Sequence, residues 1–599
     1  MRLSQGLSAA LLFFTAIQSM SAAPPEKIPR LRWHLLEISP QNNETLRTLI
    51  EQGIEILELT PQGVIRVLST DQELGWFEEQ GFKPNLLIED YGRALAERNR
   101  REALLAAQDE FACGSMGGYF SPEEVAAFVD SLIAGDPHGI ITARFEIGRS
   151  HWDTPIWMVK VSDNPEIDED EPEVFYNSLI HSREGMSLMT LLYFLRFIVE
   201  NYGKADSVTW LVDNRELYFL PVVNPDGYEI NWQQYRDSGK FGFWRKNARD
   251  NEYFGIKGEV DDSDGVDLNR NFSYQWGYDE WGSSVYPNRE SYRGPEPFSE
   301  PETVAIRDFV RGCSLVTAVN FHSYGPVLIN PFNYIDQLTP DSLLYMRLGE
   351  LLTAENGYKV GNVARTLGST YRANGEFTDW EYADTLEGKG KIIAWSCEIG
   401  TKDDNFWPLP GSIKRLAEEN LPLNFNLARI AGFWPGLDSL AVVFGPDDSS
   451  MVSVAAGVSN IGLSASRGEV SLSLESANPG LTLVFPAVLL GNLEAASGTI
   501  FPADSLRVAF GDSCFRADAE LAIYDGDERI RTFRISLERP QPPVSYDINR
   551  DGRVNIFDLL ALLKALGSGV PQGEQAASYD LNRDNAVNIL DLIALLKVL

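Results

Sequence analysis

The sequence predicts a multidomain protein in which a small α+β domain, a larger α/β domain, an all-β sandwich and a small α-helical module follow one another. Three observations support this prediction. The chain has 599 residues, more than one hydrophobic core usually organises. The strand and helix patterns change character near residues 113 and 436. An acidic loop occurs twice near the C-terminal end, with each copy leading into an apolar helix.

Composition excludes several classes of partner. The formal net charge is −35 and the pI is about 4.5, so binding to nucleic acid or to an anionic membrane surface is not expected. Residues 1–23 resemble a secretory signal peptide, with Arg2, an apolar run over Leu7–Met20 and small residues for cleavage. That run is too short for a membrane anchor. We therefore expect a secreted, extracellular protein with no membrane span.

Residues 30–110 make up the predicted α+β domain and a connecting helix. Between residues 31 and 88 the pattern is strand, helix, two strands, helix and strand. A charged helix over Tyr91–Glu110 follows and contains Arg98-Asn99-Arg100-Arg101. This basic cluster is either a processing site or a solvated helix face.

Residues 113–435 alternate strands and helices, which predicts an α/β domain with a largely buried sheet. Residues 436–538 contain short alternating runs separated by Gly, Asp and Pro, the pattern of a β-sandwich that serves as a spacer or interaction module. Residues 539–545 are a Pro-rich linker. Of the four cysteines, Cys313 and Cys397 either bridge or remain buried free thiols.

The repeat within residues 546–599 predicts two calcium sites. Oxygen-bearing side chains stand at positions 1, 3, 5, 9 and 12 of each loop, as in a calcium-binding loop. Gly552 fits the sharp turn at position 6, and Asn585 can adopt the same left-handed conformation at some cost. The predicted ligands are Asp547, Asn549, Asp551, Asn555, Asp558, Asp580, Asn582, Asp584, Asn588 and Asp591.

Three residues predict a catalytic zinc site. His181 and Glu184 are three residues apart after an apolar strand, a spacing that directs both side chains to one metal ion. The chain has only five histidines, and His322 alone follows another apolar strand in the α/β domain. Three protein ligands leave a fourth position for water, which is typical of a catalytic site. Glu398, at the end of a further apolar strand, is a candidate for the base that takes a proton from this water.

These residues resemble the zinc carboxypeptidases related to the pancreatic A and B enzymes and to bacterial carboxypeptidase T. The resemblance covers about residues 113–435 and implies a mixed central sheet. It rests on seven segments in the expected order: His181-Ser182-Arg183-Glu184, Asn224-Pro225-Asp226-Gly227-Tyr228, Trp244-Arg245-Lys246, Asp267-Leu268-Asn269-Arg270-Asn271, His322-Ser323-Tyr324, Tyr371 and Glu398.

The resemblance also implies roles for individual residues. His181, Glu184 and His322 would bind one Zn²⁺, and Glu398 would be the general base. Arg245 would stabilise the oxyanion that develops on the scissile carbonyl. The residues implied to hold the free C-terminal carboxylate of the substrate are Asn269, Arg270 and Tyr371.

Specificity depends on the side-chain pocket. In the relatives, the residue seven positions after the tyrosine lies at the base of this pocket, and here it is Thr378, with Glu376 two positions earlier. We expect mixed specificity, with both hydrophobic and basic C-terminal residues accepted.

The N-terminal domain resembles the propeptide of these enzymes, and the C-terminal repeat resembles a dockerin, which attaches enzymes to cohesin-bearing scaffolds. A cohesin-type partner is therefore possible through residues 546–599. However, Ile556-Phe557 and Ile589-Leu590 replace the small polar residues frequent in scaffold-binding dockerins. The leading hypothesis is a secreted zinc metallocarboxypeptidase. The alternatives are a peptidase of peptidoglycan stem peptides and a catalytically dead adhesion or scaffold protein.

Overall fold

A computed structural model of the chain divides into two compact units. The first comprises Met1–Gly436, Ser459–Arg467 and Asn492–Thr499, and the second comprises Leu437–Val458, Gly468–Gly491 and Ile500–Leu599. The structure describes residues 31–40, 45–52, 54–60, 63–105, 111, 114–252, 260–261, 263–366, 368, 371–385, 389–444, 450–502, 505–511, 514, 516–539, 545–568, 578–582 and 586–599. The predicted signal peptide, most of the linker, Cys113, Asp584 and Asn585 lie outside these residues.

The first unit begins with a four-stranded sheet of order β2-β3-β1-β4, whose described pairs are antiparallel. Its elements are β1 (Trp33–Ile38), α1 (Thr45–Glu51), β2 (Glu55–Leu59), β3 (Ile65–Thr70), α2 (Asp71–Glu79) and β4 (Asn85–Ile88). This is the predicted order of strands and helices. Leu36, Ile65, Val67 and Phe77 are buried between the sheet and its helices, because alternate strand residues point to one face.

The basic cluster lies inside helix α3 (Tyr91–Leu105). Asn99 is fully buried and donates to the carbonyl of Pro408 at 2.9 Å. The Arg98 guanidinium donates to the carbonyl of Trp407, and that of Arg100 donates to the carbonyl of Gly239. The cluster is therefore largely docked on the α/β domain and is not simply a solvated face.

The α/β domain is built on a mixed eight-stranded sheet of order β11-β10-β12-β9-β7-β8-β6-β5. Its strands are β5 (Phe145–Arg149), β6 (Pro155–Val161), β7 (Glu173–Asn177), β8 (Glu216–Leu220), β9 (Leu315–His322), β10 (Val327–Ile329), β11 (Lys359–Gly361) and β12 (Ile393–Glu398). The adjacent strands β12, β9, β7 and β8 are parallel, whereas β6 and β10 run antiparallel to their neighbours β8 and β12. The predicted mixed sheet is confirmed.

Helices cover this sheet and bury its side chains. They are α4 (Pro122–Gly135), α5 (Gly185–Asn201), α6 (Asp206–Val212), α7 (Pro225–Ser238), α8 (Pro301–Arg311), α9 (Ser342–Leu352), α10 (Val363–Thr366), α11 (Phe377–Ala383), α12 (Pro410–Glu419) and α13 (Leu421–Ala431), with a short 3₁₀ helix at Leu268–Arg270. β7 and β8 are buried at every position, as expected for parallel strands covered on both faces.

The second unit contains two four-stranded sheets, β13-β14-β18-β16 and β17-β15-β19-β20, and two further helices. The strands are β13 (Pro435–Phe444), β14 (Met451–Asn460), β15 (Val470–Glu475), β16 (Leu481–Phe485), β17 (Ala487–Gly491), β18 (Leu506–Phe510), β19 (Arg516–Asp525) and β20 (Glu528–Glu538). Helices α14 (Ile556–Ser568) and α15 (Ile589–Leu596) each follow one of the acidic loops.

Cys313 and Cys397 are both free thiols. Cys397 pairs in register with Phe321 near the end of β9, whereas Cys313 precedes the start of that strand. At about 3.3 Å per strand residue, the two sulfurs lie roughly 20 Å apart along the sheet, so they cannot bridge. Among the described residues, no helix combines the length and the apolar character that crossing a bilayer requires.

Candidate metal centre and substrate cleft

Three buried side chains converge at the carboxyl ends of β7 and β9. His181 Nδ1 lies 2.7 Å from Glu184 Oε1, and His322 Nδ1 lies 3.0 Å from Glu184 Oε2. The two Nδ1 atoms are 3.2 Å apart. Glu184 is the residue just before α5, and His322 is the last residue of β9. The predicted ligand residues therefore share one site, because parallel strands bring their carboxyl ends to the same edge of the sheet.

Asp267 orients this group and was missed by the sequence analysis. Its Oδ1 lies 3.3 Å from His181 Nε2, and its Oδ2 accepts from Arg245 Nε at 3.1 Å and Nη2 at 2.9 Å. A proton on Nε2 facing this carboxylate leaves the lone pair of His181 Nδ1 directed at Glu184 and His322. Two imidazole nitrogens and a carboxylate that face one another at such distances need a cation between them, so this donor set fits Zn²⁺.

The electrostatics of His181 and of the two carboxylates agree with this assignment, whereas at His322 burial lowers the pKa but Glu184 raises it above the ordinary value. Burial lowers the pKa of His181, and the charge of Arg245 lowers it further, which favours the neutral imidazole that ligates a metal. Burial opposes the charge of Glu184, yet His181 and His322 keep the pKa of this carboxyl well below its usual range. Burial likewise opposes the charge of Asp267, but Arg245 and Arg270 hold its pKa well below the ordinary value.

A cleft opens beside the three ligand residues. It is lined by His181, Glu184, Arg245, Asn269, Arg270, His322, Ile329, Asn333, Val363, Tyr371, Ala373, Glu376, Ser396 and Glu398. Glu398 ends β12, is partly exposed, and pairs in register with His322 on the neighbouring strand. The candidate base is therefore adjacent to the candidate metal ligands.

Backbone hydrogen bonds fix the loop that carries Arg245. Ser182 N–H donates to the carbonyl of Arg245 at 3.2 Å, and the Ser182 hydroxyl donates to the carbonyl of Trp244. Asn224 caps the start of α7 and donates to the carbonyl of Lys246 at 3.0 Å. Segments that are distant in sequence thus position the Arg245 guanidinium beside Glu184, with 3.9 Å between Nη1 and Oε1.

The three predicted carboxylate-binding residues also meet in the cleft. Arg270 Nη2 lies 3.5 Å from the hydroxyl of Tyr371. Asn269 Oδ1 accepts from Phe377 N–H at 3.0 Å, which ties its loop to α11. The buried Nε of Arg270 has no hydrogen-bond partner among the described residues, and Nη1 donates to the carbonyl of Asn269 at 2.7 Å.

The two pocket residues differ from each other in placement. Glu376, the residue before α11, lines the cleft, and its Oε1 accepts from the Ser396 hydroxyl at 3.1 Å. Thr378 is fully buried, does not line the cleft, and bonds to Ser396 Oγ at 2.6 Å and to Asn320 Nδ2 at 3.0 Å. Ser396 and Asn333 line the cleft and were not anticipated.

The acidic loops turn their side chains to their own backbone. Asp547 accepts from the amides of Asp551 and Gly552, and Gly552 has φ of 86°, as the turn at position 6 requires. Asp558 and Asp591, at position 12 of each loop, are fully buried and accept two or more backbone amides each. The prediction for Asp584 lies outside the described residues.

Comparison with known proteins agrees with this geometry. A zinc carboxypeptidase family model matches residues 127–423, and a dockerin type I domain model matches residues 545–599. Carboxypeptidase A2 of Mus musculus is 30% identical over 369 residues, which are 58% of this chain and 82% of that protein. Carboxypeptidase A1 of Bos taurus is 29% identical over 320 residues, 51% of this chain and 70% of that protein.

A solved structure supports the fold. The carboxypeptidase A from Helicoverpa armigera aligns with a TM-score of 0.54 and 23% identity, covering 68% of this chain and 98% of that one. The chain therefore belongs to the zinc carboxypeptidase family and is a metallocarboxypeptidase. A dockerin type I domain follows at its C-terminal end.

Proposed function

We propose that the protein is a secreted exopeptidase that removes C-terminal amino acids from peptides or proteins, with Glu398 as the general base. The observation that carries this proposal is the composition of one cleft. Three buried candidate metal ligands, a partly exposed carboxylate and a buried arginine line the same cavity. Together they match a metal-assisted hydrolysis beside a site for a terminal carboxylate.

Each residue has a defined task in this reaction. His181, Glu184 and His322 would hold a Zn²⁺ ion, which when bound would supply Lewis acidity. Glu398 takes a proton from the attacking water and passes it to the leaving amine. Arg245 donates to the carbonyl oxygen as negative charge develops on it, and Asp267 holds the guanidinium in place.

The terminal carboxylate of the substrate is held by Arg270, Asn269 and Tyr371. A planar guanidinium can donate two parallel N–H bonds to a carboxylate, which makes recognition directional. A peptide that continues past this point has no carboxylate to offer, so cleavage is confined to the last peptide bond.

The decisive experiment measures release of C-terminal residues from a peptide panel. Release is expected to stop with a chelator and return with zinc. In Glu398→Gln the isosteric amide cannot accept the proton, and we expect about a 10²- to 10⁴-fold loss of kcat with retained zinc. Activity that survives this substitution would refute the assigned base.

We also propose that the N-terminal domain is an inhibitory propeptide. The Tyr324 hydroxyl, two residues after His322, donates to the carbonyl of Leu57 at 3.2 Å. Lys402, four residues after Glu398, pairs with Glu58 at 2.7 Å. Strand β2 thus lies at the rim of the cleft.

Helix α3 limits where a protease can cut the chain to release the N-terminal domain. Both Arg98–Asn99 and Arg101–Glu102 lie within the helix, but Asn99 is buried whereas Arg101 is exposed. We therefore place the activating cut after Arg101, where the C-terminal turn of the helix must unwind to be cleaved. N-terminal sequencing of the activated protein after limited trypsin treatment tests this position. Full activity of the uncut protein would contradict the inhibitory role.

The dockerin domain and the apolar N-terminal segment support secretion and attachment to a cohesin-type scaffold. We propose two Ca²⁺ sites at the residues named above, and a calcium-dependent pull-down with cohesin domains tests the partner. If calcium binds but no cohesin does, the domain serves only as a structural module.

A further inference from the structure

Two irregular loops supply the ion pair behind the candidate metal ligands. Arg245 lies on one loop and Asp267 on the other, and the guanidinium donates to the carboxylate at 2.9 and 3.1 Å. The described residues 241–249 and 263–267 contain no helix or strand, so no regular backbone ladder fixes this geometry. Other hydrogen bonds between the loops must therefore hold the two side chains in place.

Asn247 makes the bonds that join these loops. Its backbone N–H donates to the carbonyl of Val266 at 3.0 Å, and its side-chain Oδ1 accepts from the amide of Val266 at 2.7 Å. Asn247 lies two positions after Arg245, and Val266 directly precedes Asp267. The loops are in close contact, because a Cβ at Gly265 would lie 2.4 Å from the carbonyl oxygen of Asn247. One residue thus sets the spacing between the two halves of the ion pair.

Two acids fix the orientation of the Asn247 amide. Its Nδ2 donates to Glu300 Oε2 at 2.8 Å and to Glu302 Oε2 at 3.1 Å. All three residues are fully buried. Because only the NH₂ group of an amide can donate to two carboxylates, Oδ1 must face the amide of Val266. The side chain therefore has one orientation, and that orientation is the one that joins the loops.

The acid pair is anchored away from the cleft. Glu300 directly precedes α8, and Glu302 lies in the first turn of this helix. Arg249 Nη1 pairs with Glu300 Oε1 at 2.9 Å, and His151 Nε2 lies 2.8 Å from Glu300 Oε2. None of these four described residues lines the cleft. Asn247 therefore connects a helix outside the cleft to the two loops that carry Arg245 and Asp267.

We propose that Asn247 is a positioning residue for the reaction, which holds Arg245 and Asp267 at their working distance. This inference rests on the proposed exopeptidase function. Asn247 does not line the cleft, so its effect passes through the other two residues. Arg245 then donates to the oxyanion as it forms, and Asp267 orients His181.

Loss of Asn247 should weaken binding of the transition state more than binding of the product. The site for the terminal carboxylate has its own anchor, because Asn269 Oδ1 accepts from the amide of Phe377 on α11. A peptidyl phosphonate presents the tetrahedral oxygen that Arg245 would meet in the transition state, whereas a released amino acid does not. Affinities for these two ligands therefore separate a positioning role from general damage to the fold.

The test uses the zinc-loaded full-length protein after limited proteolysis and two peptides, ending in Phe and in Arg. In Asn247→Ser we expect kcat/KM at saturating zinc to fall about 10- to 100-fold, mainly through kcat. Affinity for the matching peptidyl phosphonate should fall by the same factor, and affinity for L-phenylalanine or L-arginine should stay within about threefold. In an Arg245→Ala background, Asn247→Ser should lower phosphonate affinity by less than about twofold, because the effect passes through Arg245.

Asn460→Ser is the matched control. Like Asn247, Asn460 is fully buried, and its side chain makes two donor and two acceptor hydrogen bonds. The partners are backbone groups of Trp434, Gly462, Ser464 and Glu494. None of these described residues lines the cleft. The control should lose stability but keep kcat/KM of the folded protein within about twofold.

Three outcomes would overturn the inference. They are a kcat/KM of Asn247→Ser within about twofold of wild type, equal losses of affinity for phosphonate and amino acid, and an undiminished loss in the Arg245→Ala background. If Asn247→Ser does not fold, Glu302→Leu decides, since it removes one of the two carboxylates that accept from Nδ2. A fall of about two- to fivefold in phosphonate affinity then supports the inference, and an unchanged affinity overturns it.

Failure of the proposed function gives a different result. If the wild-type protein releases no residue from either peptide, the exopeptidase assignment is refuted, and zinc affinity measured by chelator competition decides the role of Asn247. A fall of about 3- to 10-fold in Asn247→Ser but not in Asn460→Ser supports positioning through Asp267 and His181. Equal zinc affinities in the two variants overturn it.

Discussion

Replacing Asp267 by Asn tests how the chain prepares the metal centre. The carboxylate accepts two guanidinium N–H groups from Arg245, at 2.9 and 3.1 Å, and lies 3.3 Å from His181 Nε2. The amide of Asn has the same shape as the carboxylate, but its NH₂ group is a donor and would face either the Arg245 guanidinium or His181 Nε2. If it faces His181, the imidazole is driven to the other tautomer, with its proton on Nδ1 and directed at the metal.

The expected losses of zinc affinity and of kcat/KM in Asp267→Asn follow from these contacts. Loss of an outer carboxylate that orients a ligating histidine typically costs about 10- to 100-fold in metal affinity. The weakened grip on Arg245 removes an interaction that strengthens as the oxyanion forms, so kcat/KM at saturating zinc should fall by about another 10- to 100-fold. We expect both effects together in Asp267→Asn.

Zinc affinity is measured by competition with a chromophoric chelator, and kcat/KM is measured at saturating zinc. Asp264→Asn is the matched control, because among the described residues Asp264 accepts from the backbone amides of Asn251 and Asp261. The control should lose stability but keep zinc affinity. If Asp267→Asn stays within twofold of wild type in both quantities, the orienting role of Asp267 is wrong.

Three further predictions concern stability and calcium. Burial raises the pKa of Glu302 to about 7, so its folded-state pKa lies above the unfolded value. The stability that protonated Glu302 contributes at low pH is therefore lost between about pH 4.5 and 7. In urea titrations, Glu302→Gln should be more stable than wild type at pH 8 by up to about 3 kcal/mol and should lose this advantage at pH 5. Gly552 has φ of 86°, so Gly552→Ala should weaken calcium binding about fivefold in calorimetry. Gly567→Ala is the control, because Gly567 lies within α14 with open space around it, and it should leave calcium affinity unchanged. Equal losses of calcium affinity in the two variants would contradict the role of Gly552 in the loop. Removal of zinc should lower the melting temperature of the first unit, because a ligand at 100 times its Kd stabilises the folded state by about 2.7 kcal/mol. An unchanged melting curve would count against a zinc site.

Features that depend on local pattern were predictable from the sequence. The order of elements between residues 31 and 88 follows from alternating and helical periodicity, and the described residues show the same order. The mixed sheet followed from the family resemblance. His181, His322 and Glu398 each stand at or just after the end of an apolar strand, and parallel strands bring such ends together. That the three candidate metal ligands lie together was therefore within reach of the sequence.

The environment of those residues could not be predicted from the sequence. Asp267 is 86 positions from His181 in the chain, and no periodicity relates the two. The counted position after Tyr371 pointed to Thr378, but the turn into α11 directs Glu376 to the cleft and Thr378 to Asn320 in the core. Two residues along a helix start change the direction of a side chain by about 200°.

The sequence by itself thus predicted which residues would carry the chemistry: the candidate metal ligands, the candidate base and the calcium-loop pattern. Local spacing and strand ends are sufficient for that, because they reflect short-range geometry. Only the tertiary structure decided which of these side chains face one another. It showed Arg270 and Glu376 in one cleft, Asp267 behind His181, and Asn99 buried against Pro408. Burial and ion pairing depend on distances between segments far apart in the chain, and those distances exist only after the sheet and its loops have assembled.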